Sequence, residues 1–163
     1  MVLDVFVRGC KISFSCQYSG FSKFRGEILR GWNEELGQLY QQQFNSLHDI
    51  IMRSFNIDNE NLLLRNHFVL NSRKEIESRI EKILNEYDKP YNEGMKIFAY
   101  HSDCDGEITP SQCELLLKAF EHVDVDKFDD SNEEMNEWYR ESYENWIQMM
   151  IYAIENNKSI LFG

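Results

Sequence analysis

The chain has 163 residues, of which 42% are hydrophobic and 13% aromatic, enough apolar material to fill a core and inconsistent with general disorder. No run of 18 apolar residues occurs, and the N-terminus lacks a basic start followed by a long apolar stretch, so neither a membrane-spanning helix nor a secretion signal is predicted. The formal net charge of −11 disfavours direct binding to nucleic acid, because phosphates would be repelled.

The excess of acidic over basic residues is confined to the last part of the sequence. Residues 1–45 carry five basic and four acidic side chains, and residues 46–98 carry eight basic and nine acidic ones. Residues 99–163 carry four basic and fifteen acidic side chains, and therefore hold the whole net charge. Asymmetry of this kind reports on partners and solubility rather than on fold.

The first forty residues predict a β-hairpin followed by a helix. Residues 2–7 and 11–16 form two short β-rich runs separated by Arg8-Gly9. The spacing then changes to three and four residues, which predicts either one long helix or a helix that breaks near Gly37. Its apolar stripe consists of Phe21, Phe24, Ile28, Leu29, Trp32, Leu36, Leu39 and Tyr40.

The rest of the sequence alternates predicted helices and short strands. A helical stretch carries Leu47, Ile50, Ile51 and Phe55, and strands are predicted at 62–70, 95–100 and 159–162. Capping boxes at 72–75, 109–112 and 131–134 each predict the start of a helix, the second with Pro110 at its first position. Because no regular βαβ units occur, we predict an α+β fold: a single domain over 1–163, with a small, mostly antiparallel sheet packed against several helices.

The cysteines predict reduced thiols. Cys10, Cys16, Cys104 and Cys113 match neither the spacing of a zinc ribbon nor that of a redox pair. Four cysteines without a secretion signal fit a cytoplasmic protein whose thiols pack as small apolar groups.

Residues 101–112 resemble a calcium loop of the EF-hand kind. Asp103, Asp105 and Gly106 stand at the third, fifth and sixth positions, where carboxylates converge on an ion and glycine allows a sharp turn. His101 and Gln112, however, replace the usual first and last acidic ligands, and a strand is predicted before the loop. We therefore favour a strand–turn–helix connection in which Thr109 caps the helix.

A zinc site over the same segment is a further alternative. His101, Cys104 and Cys113 are suitable ligands, but the sequence offers no fourth ligand cluster, and a Cys104–His101 pair is too close in sequence for its proximity to indicate catalysis. No cofactor and no metal are predicted; the weak metal candidates are His101, Asp103, Cys104, Asp105 and Cys113.

The most acidic tract lies at 124–134 and contains one lysine. One interpretation is a solvated loop followed by the favourable anionic first turn of a helix. The other is an acidic face that binds a basic partner, since aromatic residues follow directly and such residues form interface hot spots. The predicted partner-binding residues are Asp124, Asp126, Asp129, Asp130, Glu133, Glu134 and Trp138.

Segments 18–27 and 101–113 are similar to stretches of small uncharacterised bacterial proteins. In its size, acidity and lack of catalytic motifs, the chain also resembles immunity proteins of bacterial toxin systems. That resemblance implies a non-enzymatic inhibitor of a basic protein, such as a toxin or nuclease. Two alternatives stay open: a phage-encoded acidic inhibitor of a host defence protein that imitates nucleic-acid charge, and a metal- or calcium-binding protein or metal-dependent enzyme using residues 101–113.

Overall fold

The computed structural model describes residues 2–43, 73–102 and 105–163. Its strands form one antiparallel sheet in the order β2-β1-β4-β3, and the helices pack mainly on one face of it. The strands are β1 (Val2–Val7), β2 (Ser13–Gln17), β3 (Glu107–Ile108) and β4 (Ile160–Phe162). The helices are α1 (Tyr18–Trp32), α2 (34–43), α3 (73–85), α4 (Tyr91–Tyr100), α5 (Pro110–Phe120) and α6 (Glu133–Asn156), with a 3-10 turn, η1, at Val125–Lys127. The chain is therefore an α+β protein, as predicted.

The predicted N-terminal hairpin is present. Leu3, Val5 and Val7 alternate with exposed residues and point into the core, because successive side chains of a strand face opposite sides of the sheet. On its other side, β1 pairs with the predicted terminal strand β4, with Val5 opposite Phe162. Strand β1 thus lies inside the sheet, between two antiparallel neighbours.

The predicted long helix breaks at Asn33 rather than at Gly37. Asn33 has extended backbone angles, with φ −157° and ψ 121°, and its side-chain oxygen accepts a hydrogen bond from the Leu36 backbone N–H at 3.0 Å. This is the hydrogen bond of an N-cap, so Asn33 ends α1 and begins α2. Gly37 lies within α2.

The strand predicted at 95–100 is wrong, because these residues belong to α4. Met95 and Phe98 are buried on one side of this helix, which packs tightly against α5. A β-carbon on Gly94 would clash with the Leu115 carbonyl group of α5. The short, mostly apolar run of 95–100 resembles a strand, but burial against α5 stabilises the helix, as tertiary packing often does when local preferences are weak.

The capping box at 109–112 is confirmed. The Thr109 hydroxyl accepts a hydrogen bond from the Gln112 backbone N–H, and the Gln112 side chain accepts one from the Thr109 backbone N–H. Helix α6 is also present, but its cap is Asn132 rather than Ser131, because the Asn132 side chain accepts the Met135 N–H at 3.1 Å.

The core is built mainly from aromatic rings around Trp146, which is fully buried. Its ring lies 5.4 to 6.3 Å from those of Phe14, Phe21, Phe24, Phe98, Phe120 and Phe162. The apolar stripe of the first predicted helix also predicts that Trp32 is buried against the sheet. Trp32 is buried, but its ring contacts Phe98 and Phe120 of α4 and α5 rather than the sheet.

Helix α3 matches the helix predicted after the first capping box, with Ile80, Ile83 and Leu84 buried. Ser72 itself, the helical stretch over 47–55 and the strand over 62–70 lie outside the described residues.

Candidate functional site

The six carboxylates of the acidic tract are all exposed, but three of them have local structural roles. Asp124 accepts the Asp126 backbone N–H, and Asp129 accepts the Ser131 backbone N–H at 3.0 Å. These two hydrogen bonds fix the turns before α6, and the bond from Ser131 is the main reason why the pKa of Asp129 is lowered. Asp126 forms an ion pair with Arg140 at 3.1 Å.

Three further glutamates extend the acidic surface along α6. Glu133, Glu137 and Glu141 recur every four residues, and Glu144 lies one turn further along the same side. Together with Val125 and Tyr143, these four glutamates line an open groove of about 580 Å³ between η1 and α6. We call it the acidic groove. The sequence analysis missed Glu137, Glu141 and Glu144, although the four-residue spacing of glutamates from Glu133 would have indicated them.

Arg140 is the basic residue that lines the acidic groove. Its guanidinium binds Asp126, and its Nε donates to the Asn136 side chain at 3.1 Å. Near the groove floor, the Tyr143 hydroxyl donates to the Phe120 carbonyl oxygen at 2.7 Å. Burial, followed by the charges of Glu144 and Glu121, raises the pKa of Tyr143. Of these two glutamates, Glu144 lines the acidic groove, so its charge acts on the groove floor.

Trp138 is not brought together with the acidic groove. It is half-buried, and its ring lies 6.0 Å from Phe14 of β2 and 6.2 Å from Phe24 of α1. Tyr139, Tyr143 and Trp146 are buried as well. The aromatic residues after the acidic tract thus build the core, while the carboxylates face outward.

A second cavity, of about 250 Å³, lies where α1, α2 and the start of α6 meet. Glu27 lies in its wall with only 7% of the residue exposed, and the Glu27 carboxylate accepts the Asp129 backbone N–H at 2.8 Å. Arg30 lies 3.2 Å from the same carboxylate. We call this cavity the Glu27 pocket; its lining also includes Lys23, Gly26, Tyr40, Asn132, Met135 and Tyr139.

The 101–112 segment follows helix α4 and leads into helix α5. The strand predicted before it is therefore a helix. Gly106 has a φ of +102°, as expected for the tight turn. The His101 ring stacks on Phe162 at 4.1 Å, and its nitrogens lie 2.7 Å from the Ser102 carbonyl oxygen and 3.3 Å from that of Glu107. Arg25 donates to the His101 carbonyl oxygen at 2.8 Å.

The described part of this loop brings no metal-ligand set together. Within residues 2–43, 73–102 and 105–163, no three His, Cys, Asp or Glu side chains converge on one point. Cys113 is fully buried and its thiol faces the Ile108 carbonyl oxygen, while burial raises its pKa to about 12 and so disfavours a thiolate ligand. Asp105 accepts a hydrogen bond from the Ser102 hydroxyl at 2.7 Å. The other two metal candidates, Asp103 and Cys104, lie outside the described residues.

Comparisons with protein-family models, with curated proteins and with solved structures find no match to this chain. None of the helices in the described ranges is long and apolar enough to cross a membrane.

Proposed function

We propose that this protein is a non-enzymatic interaction module, an inhibitor of the immunity type that binds a basic protein partner through its acidic groove. The observation that carries the proposal is the row of glutamates along α6. At 1.5 Å per residue, the eleven steps from Glu133 to Glu144 span about 16 Å of helix axis. A row of this length matches several turns of a positively charged helix or one wall of a basic cleft.

The electrostatics favour a charged partner. Like charges held along one helix face repel each other and lower the stability of the fold. Carboxylates scattered over the surface would give the same solubility without this repulsion, so solubility alone does not explain the row. A positively charged partner relieves the repulsion and is steered toward the groove during its approach. The module would then act by occupying the basic site of its partner.

We expect charge neutralisation of the groove to weaken binding and to reduce its dependence on salt. The variant is Glu133→Gln/Glu137→Gln/Glu141→Gln. The partner is taken as the product of the neighbouring gene, because the resemblance to immunity proteins implies that the target is encoded there. The measurement is the association rate of the two proteins at about 10 mM and about 150 mM salt. The wild-type rate should fall steeply with salt, and the variant should be slower at low salt with a flatter salt dependence.

A matched control removes the same charge from another helix. Glu75 and Glu81 are exposed on α3, and Glu86 is exposed directly after its end. None of the three forms an ion pair within the described residues. The triple variant Glu75→Gln/Glu81→Gln/Glu86→Gln should retain the steep salt dependence. An affinity that is unchanged in the groove variant, or reduced equally in both variants, would contradict the proposal.

A further inference from the structure

Glu27 is a buried acid that the acidic groove does not use. Its side chain is 9% exposed, in the middle of α1, where an apolar residue would pack at a lower desolvation cost. The pKa of Glu27 is raised, chiefly by burial, although the Asp129 N–H and Arg30 both favour the charged form. The hydrogen bond to Asp129 connects this carboxylate directly to the acidic tract.

The Glu27 pocket has the size and the walls of a side-chain receptor. A volume of about 250 Å³ accommodates one long side chain rather than a whole small molecule. Tyr40 and Tyr139 supply aromatic surface, to which cations are attracted. Burial raises the pKa of Tyr139, and the charges of Glu27 and Asp129 raise it further, while the charge of Arg30 acts in the opposite direction. Both carboxylates therefore act on this wall.

Two basic side chains, Arg30 and Lys23, lie near the pocket. Arg30 binds Glu27 and lies 3.8 Å from Glu34. Lys23 is exposed in the lining, so its ammonium group can move into solvent. The fixed charges at the pocket are then the carboxylates of Glu27 and Asp129 and the guanidinium of Arg30. One negative charge is left in excess, and it repels an anion and attracts a cation.

We infer that the Glu27 pocket receives one arginine or lysine side chain of the partner, and that this side chain is the anchor of the interface. The inference rests on the proposed function, since the acidic groove begins at Glu133, four residues after Asp129. The cationic head would lie against Tyr139 and bind the carboxylates of Glu27 and Asp129. Burial of a charged anchor in a pocket, surrounded by a weaker charged rim, is the usual division of energy in an interface.

The test uses a defined probe in place of the partner. Nα-acetyl-arginine methylamide is titrated into the ¹⁵N-labelled protein, and its citrulline analogue, which has the same shape without the charge, serves as the matched ligand. We expect saturable shifts of the Glu27, Asp129 and Tyr139 amide signals with the arginine probe and none with the citrulline probe.

Two variants separate binding from folding. A β-carbon on Gly26 would lie 3.5 Å from Tyr40, which is ordinary contact, so Gly26→Ala narrows the pocket while favouring the helix. Glu27→Gln removes the charge and keeps an acceptor for the Asp129 N–H. Glu27→Gln should lower the affinity for the arginine probe by about tenfold, because it removes a charged contact. Gly26→Ala should lower this affinity by about as much, because it leaves less room for the side chain. Glu75→Gln, on the surface of α3, should leave it unchanged.

The outcomes distinguish this inference from the proposed function. Equal binding of the two probes, no shifts at the pocket, or full affinity in both Gly26→Ala and Glu27→Gln would overturn the inference. If the arginine probe shifts only the Glu133–Glu144 signals, the pocket assignment fails while the acidic groove stands. If the groove variant also leaves partner binding unchanged, the proposed function fails with it.

Discussion

Glu27 shows how a single side chain makes stability depend on pH. Because burial raises its pKa above the ordinary value of 4.5, the folded protein binds a proton at this site more tightly than the unfolded chain does. Stability must then increase as the pH falls through the folded-state pKa toward 4.5. At pH values above that folded-state pKa the buried carboxylate is charged, and the protein is less stable than it would be with a neutral group there.

We expect Glu27→Gln to remove this pH dependence. The difference in unfolding free energy between the variant and the wild type should be largest at neutral pH, favouring the variant, and should shrink as the pH approaches 4.5. Glu35 and Asp129 do not interfere, because their lowered pKa values place the loss of their stabilisation at lower pH. Urea unfolding between pH 7 and pH 4.5 measures the difference, and a constant value over this range would contradict it.

At the scale of elements, the contact between α4 and α5 depends on Gly94. A β-carbon at this position would clash with the Leu115 carbonyl oxygen, and would lie 2.8 Å from the Leu115 carbonyl carbon and 3.0 Å from the Ala119 β-carbon. The neighbour is backbone, which cannot rotate away as a side chain can. The two helices approach closely only because residue 94 has no side chain.

Gly94→Ala is therefore expected to destabilise the protein by about 1–3 kcal/mol, the usual cost of overpacking. Gly26→Ala is the matched control, because the same change in α1 meets only ordinary contact and should stabilise the protein by about 0.5–1 kcal/mol. Thermal unfolding of the two variants should shift in opposite directions. A neutral or stabilising Gly94→Ala would show that α4 and α5 are further apart than described.

The elements that the sequence predicts correctly are those that depend on neighbouring residues. The N-terminal hairpin and the Thr109 cap depend on neighbouring residues, and the sequence alone predicts them correctly. Residues 95–100 were wrongly predicted as a strand, because their helical state depends on packing against α5. The spacing of apolar residues within the segment does not reveal that contact. The break at Asn33 was missed because the apolar stripe continues across it from Trp32 to Leu36.

For the candidate site, the sequence predicted the exposed carboxylates but not the surfaces that they form. Exposure follows from charge alone, since six carboxylates with one lysine cannot all be buried. The burial of Trp138 and the position of Glu27 beside the acidic tract depend instead on how α1 and α6 cross. Glu27 lies 102 residues before Asp129, and no local pattern relates the two.

At the scale of the whole molecule, the net charge of −11 predicts that salt stabilises the fold. Raising the salt from about 10 mM to about 150 mM shortens the screening length from about 30 Å to about 8 Å and weakens the repulsion among exposed carboxylates. The melting temperature of the wild type should rise over this range. The groove variant described above, with three fewer charges in the densest region, should gain less, and an equal gain would place the repulsion elsewhere.

The position of β4 also determines when the sheet can form during synthesis. β1 is made first, yet its second neighbour consists of residues 160–162, and Gly163 completes the ladder through two hydrogen bonds with Asp4. Until these residues leave the ribosome, β1 presents an unpaired edge with Val5 and Val7 beside it, the kind of edge on which chains aggregate. We therefore expect this edge of β1 to stay unpaired while the residues between β1 and β4 are synthesised.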